Sequence, residues 1–135
     1  MRHFKAHELV HPKIYEMYGE GSINFLHPKL RTTIDDIRDY FNTKMTINNY
    51  YWGGNLKNRG LRPYLIDKYA KYSQHKLGMA VDFDIAGMTA DEVRQVILDD
   101  KDCEAFRHIN RMELGVSWVH IDLKETASRI YTFNP

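Results

Sequence analysis

Two short segments of the sequence alternate strictly between apolar and other residues, and this pattern restricts the possible fold more than any other feature. The apolar positions are Val81, Phe83 and Ile85 in residues 79–85, and Val119, Ile121 and Leu123 in residues 118–123. The positions between them are Ala80, Asp82 and Asp84 in the first segment, and Trp118, His120 and Asp122 in the second. Because neighbouring side chains of a β-strand point to opposite faces, the pattern predicts two half-buried strands. Each strand would turn acidic or imidazole groups away from the core.

Apolar residues at helical spacing predict helices elsewhere in the chain. Residues 28–42 carry an apolar face and begin with a proline that suits a first turn. Residues 89–99 begin with a capping-box pattern, in which Thr89 precedes Glu92 by one turn. The remaining predictions are short helices at 12–18 and 102–110, strands at 46–48 and 129–133, and a long loop at 50–72.

The composition indicates one globular domain over residues 1–135. Hydrophobic residues make up 43% of the chain and charged residues 27%, which provides enough apolar material for a core. The net charge is only +1, so no surface is expected for nucleic acid or for anionic lipid. Any partner is therefore expected to be selected by a local site, and we expect a monomer.

The single cysteine and the start of the chain indicate which covalent links and which cellular compartment to expect. Cys103 excludes an internal disulfide and a cysteine-based zinc site, and it is expected to be a small buried residue. No apolar run approaches the ~18 residues of a membrane span, and the first residues show no signal peptide. We expect synthesis in the cytoplasm and no membrane partner.

Three side chains could form a metal site. The segment before the first predicted strand offers His75, and the strand itself offers Asp82. His120 would complete the set, because facing side chains of adjacent antiparallel strands lie about 4.5–5.5 Å apart. Imidazole and carboxylate are good zinc ligands, and three protein ligands leave a fourth position for water. Gly78 would let the backbone bend between His75 and the strand.

These segments resemble the motifs of a known enzyme family. SQHKLGMAVDFD is similar to the SxHxxGxAxD motif of the zinc D-alanyl-D-alanine carboxypeptidase family, and WVHID is similar to its final ligand motif. The likeness spans most of the chain and is closest to small peptidases encoded by bacteriophages. It implies that His75, Asp82 and His120 bind Zn²⁺. It also implies an α+β fold, shared with Hedgehog signalling domains, in which a central antiparallel sheet packed by helices carries the zinc.

The resemblance further implies a catalytic base and a cation. The family's base is a glutamate shortly before the last histidine, often at the position of Ser117 in this chain. Glu113 is the nearest candidate, and it would accept the proton of the attacking water. The family's arginine, in a Ser-Gly-Tyr-Arg type motif, matches Arg62 in the segment RGLR, with Arg59 as the alternative. That cation would stabilise the oxyanion.

Five further residues are expected to support the metal or contact the substrate. They are Ser73, Arg59, Asp84, Asp122 and Trp118. The two carboxylates would hold a ligand imidazole or position Arg62, and Ser73 would orient the loop or the substrate. Elsewhere, His3, His7 and His11 are interpreted as surface histidines. The aromatic residues 50–52 either pack within the protein or stack on a sugar or peptide.

The resulting hypothesis is a zinc peptidase of the phage endolysin type that hydrolyses an amide bond in peptidoglycan. The sequence leaves open whether this bond is D-Ala-D-Ala, L-Ala-D-Glu or a cross-link. Another protein would release the enzyme from the cytoplasm of the infected bacterium to the wall, or the virion would carry it. The alternatives are a noncatalytic zinc-binding module, which Ser117 favours, and a phage structural component without metal.

Overall fold

A five-stranded sheet lies at the centre of the computed structural model, which describes residues 1–64 and 73–135. The strands are β1 (Met45–Thr46), β2 (Ala80–Ile85), β3 (Arg111–Glu113), β4 (Val119–Asp122) and β5 (Tyr131–Phe133). Their order is β1-β2-β4-β3-β5, and every neighbouring pair is antiparallel except β3 and β5. After β4 the chain turns back and crosses to the outer edge of β3, so β5 runs parallel to β3. The α+β prediction is confirmed, whereas a purely antiparallel sheet is wrong at this edge.

The helices agree with most of the sequence predictions. They are α1 (Ala6–Leu9), α2 (Pro12–Tyr18), α3 (Pro28–Phe41) and α4 (Ala90–Asp99) among the described residues. Thr89 and Glu92 form the predicted capping box before α4, with hydrogen bonds of 3.1 and 3.0 Å. In this part of the chain, none of the helices combines the length and the apolar character needed to cross a membrane.

The helix predicted at 102–110 is wrong. Only Glu104–Phe106 forms a short 3₁₀ helix. The side chain of Arg129 donates hydrogen bonds to the carbonyls of Lys101, Phe106 and Ile109. These carbonyls are therefore bonded by a distant arginine, and the segment follows an irregular path.

The two alternating segments form β2 and β4 with the predicted face parity. Their apolar residues pack in the core with Leu30, Ile34 and Ile37 of α3 and with Val93 and Ile97 of α4. The opposite face is also covered, since Asp82, His120 and Asp122 are all buried. The strands are thus buried on both faces rather than half-buried, because the chain around residues 58–62 and 73–78 covers the polar side. The loop predicted at 50–72 contains a 3₁₀ helix at Tyr50–Trp52, and its last part, 65–72, lies outside the described residues.

The interpretation of His7 and His11 as surface histidines is wrong. His7 is buried because its ring stacks on Tyr51, at a centroid distance of 3.9 Å. His11 is buried at the start of α2, where its Nδ1 atom accepts a hydrogen bond from the Lys13 N–H. His3 is exposed, as expected, and Cys103 is partly buried against the core rather than fully enclosed.

A substitution at Gly78 tests how tightly the backbone is packed in the turn before β2. Its φ is +68°, and a Cβ atom there would lie 2.5 Å from the Phe25 carbonyl oxygen. We expect Gly78→Ala to lower the free energy of unfolding by roughly 2–4 kcal/mol, because strain and a backbone clash act together. Gly87→Ala is the control, since Gly87 has a φ of +82° but nothing within 4 Å of its Cβ position. Urea denaturation measures both variants, and equal losses would contradict the close contact at Gly78.

Candidate metal centre

His75, Asp82 and His120 lie together on the polar face of the sheet. Each offers one ligand atom, and these atoms lie within 4.8 Å of one another. Asp82 and His120 are direct cross-strand neighbours on β2 and β4. Asp82 Oδ1 lies 2.7 Å from His120 Nδ1 and 3.2 Å from His75 Nε2. The buried group that the sequence predicts is therefore present, and it could hold a metal ion.

The outer nitrogen of each imidazole has its own hydrogen-bond acceptor. His75 Nδ1–H donates to the Gly60 carbonyl over 3.0 Å, and His120 Nε2–H donates to Asp122 Oδ2 over 2.9 Å. With the outer nitrogens bonded in this way, His75 Nε2 and His120 Nδ1 face Asp82 and are the ring atoms that would bind a metal ion. Metal-binding histidines are oriented in this way by a carbonyl or a carboxylate. The donor set of two imidazoles and one carboxylate fits zinc.

Gly60 reaches His75 because it has no side chain. A Cβ atom at Gly60 would lie 1.9 Å from the Leu9 carbonyl oxygen. The backbone passes against α1 at this point, where Leu61 N–H donates to the Leu9 carbonyl over 2.8 Å. Any larger residue would displace the carbonyl that orients His75.

Asp122 is itself fixed by an arginine. The Arg111 Nε and Nη2 atoms each lie 2.8 Å from a different oxygen of the Asp122 carboxylate. The Lys124 N–H donates to the same carboxylate over 3.1 Å. Arg111 and Asp122 are direct neighbours on β3 and β4. A chain of contacts thus runs from Arg111 through Asp122 to His120.

The two carboxylates determine the protonation of His120 when no metal is bound. Burial alone would lower its pKa, but hydrogen bonds with Asp122 and Asp82 outweigh burial and raise the pKa to about 9. Burial likewise opposes ionisation of Asp82, yet its bonds with His120 and His75 hold its pKa well below the usual range. The metal-free centre therefore contains a proton that a metal ion would have to displace.

Glu113 and Arg62 lie beside the cluster, as the sequence predicts. Glu113 on β3 is the direct neighbour of His120, so Asp82, His120 and Glu113 form one row across three strands. Arg62 Nη2 lies 3.6 Å from Asp82 Oδ2. All of these residues line one cleft of about 270 Å³, together with His75, Ser73, Gln74, Arg111, Trp118 and Phe133.

The remaining predicted residues differ in whether and how they contact the candidate metal ligands. Ser73 Oγ accepts the His75 N–H over 3.2 Å, and so it holds the turn that carries His75. Asp84 pairs with Arg59 at 2.6 Å, and it holds neither a ligand imidazole nor Arg62 among the described contacts. Arg59 instead contributes its carbonyl, which accepts the Asp82 N–H over 2.7 Å.

Trp118 lines the cleft, and its loop is stabilised by hydrogen bonds from α4. The guanidinium of buried Arg94, on α4, donates to the carbonyls of Val116 and Trp118 over 3.0 and 2.9 Å. Ser117 between them is exposed and lies outside the metal cleft. Ser117, the position at which the resemblance would place the base, therefore does not line the cleft with the cluster.

Sequence reasoning missed Arg111 and Gly60 as supports of the two imidazoles. Arg111 could have been found from parity, because Arg111 and Glu113 flank the apolar Met112 and must share one face of β3. Gly60 gives no such signal, since its contribution is a main-chain carbonyl.

No protein-family model, no curated protein and no solved structure matches this chain. The resemblance to the zinc carboxypeptidase family therefore depends on its two motifs, and it remains a prediction.

The raised pKa of His120 gives the metal-free protein a pH-dependent stability. Because that pKa lies above the ordinary value of 6.5, the stabilisation is fully present below about pH 6.5 and is lost as the pH rises through about 9. NMR titration of the ring and urea denaturation at both ends of this range measure the effect. His108 is the internal comparison, because burial lowers its pKa. Titration of His120 below pH 7 would contradict the two-carboxylate contact.

Asp122→Asn tests the orientation of His120. Loss of the carboxylate partner should weaken zinc binding about 10–100-fold, as measured by competition with a chromophoric chelator. Asp84→Asn is the matched control, because Asp84 lies on the same face but pairs with Arg59. Equal weakening in both variants would show that general negative charge, rather than the bond to His120, supports the metal.

Proposed function

We propose that this protein is a zinc-dependent peptidase that hydrolyses an amide bond in the peptide part of peptidoglycan. The observation that carries the proposal is the row of Asp82, His120 and Glu113 across three strands. In this row Asp82 and His120 are candidate metal ligands, and the Glu113 carboxylate lies next to them without being a ligand itself. A purely structural metal site would have no use for that carboxylate or for an open cleft.

The residues divide the chemistry between them. His75, Asp82 and His120 would hold the zinc. A zinc ion with three protein ligands supplies an acidified water and a Lewis acid for a carbonyl oxygen. Glu113 would accept one proton from the attacking water while the water oxygen bonds to the scissile carbonyl carbon. The same proton then passes to the amine nitrogen as the C–N bond breaks.

Arg62 is the cation for the oxyanion that forms in this reaction. Its guanidinium lines the cleft and lies beside Asp82, and Arg62 Nε donates to the Asn58 carbonyl over 2.6 Å. A charge that is already in place does not have to reorganise during the reaction. Arg59 is a poorer candidate, because its side chain pairs with Asp84 and does not line the cleft.

The substrate class comes from the resemblance to the peptidase motifs. The walls of the cleft are compatible with a peptide, since the rings of Trp118 and Phe133 offer apolar contact and the charged groups offer hydrogen bonds. In this proposal the enzyme acts on the bacterial wall after release by another protein, or as part of a virion.

Glu113→Gln tests the catalytic role directly. The variant should bind zinc as tightly as the native chain, while hydrolysis falls by about 10²–10⁴-fold because the base is lost. The measurement is mass spectrometry of fragments from digested peptidoglycan, with and without chelator, which also identifies the bond. Ser117→Ala is the control, because Ser117 is exposed and should leave the rate unchanged.

The alternatives make different predictions in the same experiment. A noncatalytic zinc module would bind zinc but release no fragments from any wall preparation. A structural component without metal would show no zinc at all in metal analysis of the native chain. Undiminished hydrolysis by Glu113→Gln would remove Glu113 from the mechanism.

A further inference from the structure

A second cleft lies against α1, α3 and β1, and it shares no lining residue with the metal cleft. Its volume is about 480 Å³, larger than the metal cleft. Its walls include Glu8, Arg38, Lys44, Thr46, Asn49 and Trp52. The proposed peptidase chemistry uses none of these residues.

Trp52 provides an exposed aromatic wall of this cleft, and its neighbours hold the ring in place. Trp52 is 65% exposed, although leaving a large apolar ring in water is unfavourable. His7 meets it edge-on at a centroid distance of 5.0 Å, and Tyr51 does so at 6.0 Å. His7 is buried, and its Nδ1 atom has no hydrogen-bond partner among the described residues. The imidazole therefore serves as a flat support between the aromatic rings.

Hydrogen-bond donors line the rest of the cleft. The side chains of Arg38 and Lys44 form no hydrogen bond or ion pair within residues 1–64 and 73–135. Asn49 accepts the Leu56 N–H through Oδ1 over 2.9 Å, and its amide NH₂ group has no partner in those same ranges. One concave surface therefore combines hydrogen-bond donors, the Glu8 carboxylate and the ring of Trp52.

We propose that this second cleft binds an oligosaccharide. One face of a pyranose ring is apolar and suits the Trp52 ring, while its hydroxyl and acetamido groups accept hydrogen bonds from arginine, lysine and amide donors. A nucleic acid is disfavoured by the net charge of +1 and by the Glu8 carboxylate in the wall. The inference goes beyond the proposed function, because it involves other residues and does not require a metal.

Binding is tested with chitotetraose, an oligomer of N-acetylglucosamine, added to the full chain. The indole N–H resonance of Trp52 should shift, whereas that of Trp118 in the metal cleft should stay in place. Trp52→Ala should bind about tenfold more weakly, which corresponds to a lost contact of roughly 1.4 kcal/mol. Tyr18→Ala is the matched control, because Tyr18 is a similarly exposed aromatic residue outside the cleft.

Each other outcome overturns the inference. These outcomes are no shift up to low-millimolar sugar, shifts confined to Trp118, equal loss in Tyr18→Ala, or binding of oligothymidine alone. Zinc binding and peptide hydrolysis by Trp52→Ala are measured in parallel and should equal those of the native chain. A failure of sugar binding with intact hydrolysis is therefore distinguishable from a failure of the proposed peptidase function.

Discussion

The imidazole of His120 lies between the carboxylates of Asp82 and Asp122, and the rest of the site depends on this contact. Asp82 reaches it across one strand boundary, and Glu113 adjoins it across the other. A slip of one residue in either register would turn these side chains toward the core. The apolar residues of β2 and β4 prevent that slip, because the same displacement would move their side chains out of the core and among the polar groups of the opposite face. Hydrophobic packing on one face therefore determines the chemistry on the other.

The residues that could be predicted are those whose positions follow from local pattern. Alternation placed Asp82 and His120 on one face, and the capping box located the start of α4. Features that depend on distant partners were not predictable in this way. The irregular path of residues 102–110 depends on Arg129, and the burial of His7 depends on stacking against Tyr51. The parallel edge of the sheet likewise depends on where the chain crosses after β4, for which the sequence contains no periodic signal.

The two arginines of the RGLR segment show how similar residues acquire different roles. Both were candidates for the same cation, since charge and motif position barely distinguish them. The fold directs Arg62 into the metal cleft and Arg59 toward Asp84. Each guanidinium lies beside a carboxylate, Arg62 beside Asp82 and Arg59 beside Asp84, so the position of that carboxylate distinguishes the two charges. The contact with Asp84 thus helps to keep the side chain of Arg59 out of the metal cleft.

Gly60 orients His75 through a main-chain carbonyl, while Asp122 orients His120 through a side chain. The two positions that orient the imidazoles therefore differ in the substitutions that they permit. An aspartate can be exchanged for a glutamate that keeps the carboxylate, but contact with Leu9 permits no side chain at position 60. Among relatives of this chain, an invariant glycine two residues before the arginine would be as diagnostic of the metal centre as the ligands themselves.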